Sequence, residues 1–98
     1  MKIAEVILDN GDAELIFDGL MQKRDFKLIL DKFTELKEVK VIKQTEDELS
    51  KACLLTNGEF EFVLVYSSDS FVWNYAYAVK KENHKLLKAL CEKFAEVV

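Results

Sequence analysis

A ring at every second position, from Phe71 through Trp73 and Tyr75 to Tyr77, admits a β-strand and excludes a helix. Only a period of two brings residues two apart onto one face. The preceding stretch alternates in the same way through Phe60, Phe62, Leu64 and Tyr66, so two ring-rich strands follow one another. A turn around Ser68 and Asp69 pairs Tyr66 with Phe71, Leu64 with Trp73, Phe62 with Tyr75 and Phe60 with Tyr77. Asn57-Gly58 marks a second turn, since Asn-Gly supplies the positive φ that a type I′ hairpin requires. It pairs Leu55 with Phe60 and Cys53 with Phe62. The result is a three-strand meander with one large-residue face.

The N-terminus repeats the signal at Asn10-Gly11, which pairs Asp9 with Asp12, Leu8 with Ala13, Val6 with Leu15 and Ala4 with Phe17. Its other face is mixed, with Ile7 opposite Glu14 and Glu5 opposite Ile16. After Gly19 the period changes: Phe26, Ile29, Leu30, Phe33 and Leu36 follow the spacing of an amphipathic helix, which begins near Leu20 or Asp25 and ends near Lys37. "VKVI" returns to a strand. Thr45 and Glu48 then have capping-box spacing, so a short helix over 46–52 competes with a continuous strand. Leu86, Leu87, Leu90, Cys91 and Phe94 form the stripe of a closing helix over about 83–96. The order ββαββββα predicts one α+β domain over residues 1–98, an antiparallel sheet with two helices packed on one face.

The aromatic face is expected to be core, because the rest of the sequence supplies too little ring area to fill an interior; the alternative packs the helices on the small-residue face, where Ala and Val permit close approach, and leaves the rings for a partner. Besides Glu61, the reverse face of the meander holds Val63, Val65, Val72, Asn74, Ala76 and Ala78, too apolar for an ordinary solvated surface. Those six residues are the expected interface, covered in a homodimer or by another protein. On this reading Trp73→Ala unfolds the domain and Ala76→Lys disturbs association alone.

Chemistry is sparse. His84 is the only histidine and is expected on the surface at a helix start. One imidazole and two separated cysteines do not make a zinc site. Asp9, Asp12 and Glu14 are turn formers, Glu46, Asp47 and Glu48 an acidic run for a helix cap or loop, and Ser67, Ser68 and Ser70 a polar turn. The isolated glycines provide no phosphate-cradling loop. No catalytic residue, cofactor or metal is predicted, and the chain reads as a non-enzyme.

A formal net charge of -4 and scattered lysines argue against nucleic acid, Lys80 and Lys81 being flanked at once by Glu82. No apolar run approaches a membrane span and no secretory leader is read. Cys53 and Cys91 both fall within apolar stretches and are expected as buried free thiols, which points to the cytoplasm. The expected function is a small acidic protein-interaction domain that self-associates or regulates a partner. The alternative is a binder of a small apolar ligand on the aromatic face.

Overall fold

Alternation, turns and helical stripes assemble into β1 (Lys2–Ile7), β2 (Ala13–Asp18), α1 (Lys23–Thr34), β3 (Lys40–Glu46), β4 (Ser50–Thr56), β5 (Glu61–Ser67), β6 (Trp73–Ala78) and α2 (His84–Val97). This computed structural model describes residues 2–36, 38–68 and 73–97, without the side chains of 94–97. The order is ββαββββα, an α+β fold, and the strands form a six-stranded antiparallel sheet ordered β1-β2-β6-β5-β4-β3. β2 and β3 run in the same direction, so their connection must cross the sheet, and α1 makes that crossing.

Leu15 and Phe17 of β2, Cys53 and Leu55 of β4, Phe62 and Leu64 of β5 and Ala76 of β6 are fully buried. They join Ile29 and Phe33 of α1 and Leu87 and Cys91 of α2 in one cluster. Phe33 sits among the sheet's rings, with centroids 6.1 Å from Phe17 and 5.2 Å from Phe62. These sheet residues define the core face; the opposite side is called the outer face.

Three registers differ from the simplest hairpin reading, and their parity decides the faces. In β1–β2, Ile7 lies opposite Ala13, Glu5 opposite Leu15 and Ile3 opposite Phe17, a slip of one residue. Leu8 N donates to Asp12 O at 2.7 Å and Gly11 N to Leu8 O at 2.8 Å. Gly11 has φ +87, while among the described residues no non-glycine has positive φ. Asn10 therefore cannot take its part in a type I′ turn. The loop is instead a tight turn completed by a left-handed glycine, one residue longer, and Glu5 is brought onto the core side.

At Asn57-Gly58 the same restriction applies, with Asn57 Oδ1 accepting Glu59 N and Phe60 N. Leu55 pairs with Phe62 and Cys53 with Leu64. This slip of two residues leaves every side chain on its expected face.

Between β5 and β6 the slip is odd. Tyr66 pairs with Asn74, Leu64 with Ala76 and Phe62 with Ala78, whereas Val65 pairs with Tyr75 and Val63 with Tyr77. Ser68 does not turn: its N and Oγ both donate to Leu49 O at 3.0 Å, so the β5 chain continues beside the β3–β4 turn. The expected turn residue Asp69, together with Ser70, Phe71 and Val72, lies outside the described residues. An odd slip exchanges the faces of a strand. The expected single aromatic face is thus corrected: Phe60, Phe62 and Tyr66 are buried, and Trp73, Tyr75 and Tyr77 are on the other side.

The segment 46–52 is neither a helix nor a continuous strand but a hairpin. Asp47 Oδ1 accepts Leu49 N at 2.9 Å, Ser50 N at 2.8 Å and Ser50 Oγ at 3.1 Å, closing β3 onto β4. These donors hold the Asp47 carboxyl below its usual range.

Candidate functional site

The outer face can be read strand by strand, because directly opposite residues project to the same side. One row runs across the sheet as Ala4, Ile16, Tyr75, Val65, Ala52 and Thr45. The β2–β6 register, continued by one pair, gives a second row of Val6, Glu14, Tyr77, Val63, Leu54 and Lys43. A third contains Trp73, Ser67 and Ser50. Trp73, Tyr75, Val63, Val65 and Leu54 are half-buried and Tyr77 is 37% exposed.

The three rings form a ridge along β6. Trp73 and Tyr75 meet edge to face with centroids 6.4 Å apart, and Tyr75 stacks on Tyr77 at 6.4 Å with 27° between their planes. Beside it on β5, Val63, Val65 and Ser67 make a lower strip. Within the second row the charges are separated: Glu14 lies on β2, on the β1 side of the ridge, and Lys43 on the edge strand β3. Partial burial, followed by the charge of Asp12, raises the Glu14 carboxyl above its usual range. Burial, then Glu14 and Tyr77, raises the Tyr75 phenol likewise.

The six expected interface residues do not share a face. Val63 and Val65 are on the outer face. Asn74 and Ala76 are fully buried in the core, and Ala78 packs against it. Val72 lies outside the described residues. The odd slip of β6 is the reason for the split. It also brings Trp73, Tyr75 and Tyr77, expected in the core, onto the candidate surface. The Asn74, Ala76, Ala78 alternation is compatible with the helix-covered side, since small side chains let helices approach a sheet closely, but it does not by itself choose that side.

On the core side, Glu5 lies 2.7 Å from His84 Nε2 and 3.6 Å from Lys88 Nζ. The His84 side chain is only 16% exposed, so it is not the surface residue expected. The one-residue slip of β1 explains the contact, because it turns Glu5 toward α2. The hydrogen bond from His84, helped by Lys88, keeps the Glu5 carboxyl below its usual range. This arrangement ties the edge strand β1 to α2. Near it a cavity of about 270 Å³ is bordered by Asp12, Glu14, Tyr77, Lys81 and His84.

The other polar candidates have local partners. Asn10 Nδ2 donates to Asp12 Oδ2, and Asp12 N donates to Asn10 Oδ1. Glu46 faces Lys51 across its hairpin at 3.9 Å. Burial pushes the Cys53 thiol up to about 11 and the Cys91 thiol up to about 12, which makes the nucleophilic thiolate scarce. Among the described residues, no three His, Cys, Asp or Glu side chains gather as metal ligands, and no helix is long and apolar enough to cross a membrane. No protein-family model, curated protein or solved structure matches the chain.

Proposed function

We propose that this chain is a non-catalytic protein-interaction domain that self-associates through the outer face of its sheet. The ridge of Trp73, Tyr75 and Tyr77 carries the reading. Large rings at a surface retain much of their hydrophobic driving force for association, and aromatic residues are enriched in protein interfaces.

The β3 edge of the sheet is less suited to association. β3 has an irregular register between Val41 and Lys43 and bears Lys40 and Lys43. Bulges and lysines are common means of blocking edge pairing. A small apolar ligand has less support than a protein, because ligand pockets surround their occupant whereas these rings stand along a single strand. The buried free thiols fit a cytoplasmic setting.

Tyr75→Lys tests the reading, since association would require desolvation of a charge at the centre of the face. Sedimentation equilibrium is expected to show a shift toward monomer, with the far-UV spectrum unchanged. A native protein that stays monomeric at about 1 mM, where even an association of roughly 4 kcal/mol is populated, overturns it.

A further inference from the structure

We propose that the second copy docks face to face about a two-fold axis parallel to the strands, between β5 and β6, so that the aromatic ridge of each copy enters the valine strip of the other. This rests on the self-association reading and adds the geometry of the assembly. The basis is the pairing of large with small side chains across adjacent strands: Tyr77 with Val63, Tyr75 with Val65 and Trp73 with Ser67. Rotation about an axis between those strands carries each ring over the smaller residue of its own pair in the partner. A two-fold axis across the strands does the opposite and sets rings against rings.

Charge selects the same axis. Glu14 and Lys43 lie in one row on opposite sides of the ridge. The parallel axis places Lys43 over the partner's β1–β2 side, within reach of Glu14, whereas a crossed axis along that row puts Lys43 against Lys43. Oppositely charged regions brought together fix register, and like charges penalise the wrong one.

The area is suitable as well. Six strands spaced by about 4.8 Å, with six residues or so rising about 3.3 Å each, project roughly 600 Å². The accessible surface of such a ridged face is larger than its projection and comes near the roughly 800 Å² per partner of a standard interface. The molecule measures 31 × 30 × 25 Å, so the sheet spans its broad side. An isologous contact of this kind closes as a dimer and leaves no second copy of the face exposed.

Ala4 and Thr45 are exposed and end the same row on opposite edge strands, so cysteines there report the axis without altering its centre. Ala4→Cys and Thr45→Cys proteins are purified separately, then mixed and allowed to exchange. Each sample is treated with a bismaleimide that spans about 10 Å, the separation of packed sheets. The native thiols are buried and do not compete.

The parallel axis predicts a cross-linked dimer in the mixture and none in either protein alone. Cross-linking of each protein with itself establishes the crossed axis and overturns this geometry while leaving self-association intact. Association without cross-linking in any sample also overturns it, by placing the contact elsewhere. A strict monomer overturns both readings. In the expected geometry Glu14→Lys and Lys43→Glu each weaken the dimer about tenfold, equivalent to about 1.4 kcal/mol, and the double variant recovers it. Failure of the double variant to recover, with both single variants folded, also counts against the parallel axis.

Discussion

Asn74 shows how one polar side chain can be indispensable inside an apolar core. It is fully buried, and its Nδ2 donates to Leu20 O at 2.8 Å and Gln22 O at 3.0 Å. It thereby fixes the β2–α1 connection to β6, a strand remote in sequence. Asn74→Ala takes the amide donor from both carbonyls, of which Gln22 O keeps Asp25 N at 3.0 Å, and is expected to cost about 2 kcal/mol. Asn74→Asp costs more, because an oxygen then faces those carbonyls. Urea unfolding of both variants checks the order; an aspartate variant at least as stable as the alanine one contradicts it.

Glu14 has the reverse character, since the fold disfavours its charge. Its raised pKa means that the native state holds the proton more tightly than the unfolded chain. The resulting destabilisation is absent well below the ordinary carboxyl value of 4.5. It grows as the pH rises through that value and is complete above the native pKa. Glu14→Gln is therefore expected to raise the thermal midpoint of the dilute monomer at neutral pH, with the gain vanishing near about pH 3. An equal gain at both pH values rules out ionisation as the cause.

Among the elements, the two helices follow their stripes closely. Phe26, Ile29, Leu30 and Phe33 are the buried residues of α1. The N-terminus of α1 is fixed at Gln22, whose backbone N donates to the Asp25 carboxylate at 3.0 Å. In α2, Leu87, Leu90 and Cys91 are buried, while Leu86 is 42% exposed and Phe94 lies among the side chains not described. Strands are less determined by their own residues. A helical residue has its face fixed by its neighbours in sequence, but a strand can show either face until its partner is set. Asp47 illustrates a local solution, binding three donors to make a hairpin where capping spacing suggested a helix. Ser68 illustrates a distant one, because its acceptor is Leu49 and the sequence around Ser68 carries no trace of it.

For the whole molecule, the face assignment reverses an expectation that can be tested directly. Ala76 is fully buried opposite Leu15 and Leu64. A lysine there must both overpack the core and bury a charge, so Ala76→Lys is expected to abolish folding at 25 °C. Trp73 is half-buried on the outer face, and Trp73→Ala is expected to keep the far-UV spectrum and weaken association. Circular dichroism and sedimentation of the pair decide between the faces. A folded Ala76→Lys protein alongside an unfolded Trp73→Ala protein returns the ridge to the interior.

The number, kind and order of the elements were legible in the residues themselves. Period two at Phe60–Tyr66 and Trp73–Tyr77, helical spacing at Phe26–Phe33 and Leu87–Cys91, and glycine at the turns each have a local physical meaning. The candidate surface was only half legible. Val63 and Val65 were placed on it by an even slip that preserves faces, while Trp73, Tyr75 and Tyr77 were exchanged with Asn74, Ala76 and Ala78 by an odd one. Alternation specifies two faces but not which of them the helices cover. That choice came from the Ser68–Leu49 contact, which prolongs β5, and from packing of α1 and α2 side chains with Phe62, Leu64 and Ala76. Both act between residues far apart in sequence, so only the tertiary structure could decide which side of the last strand faced outward.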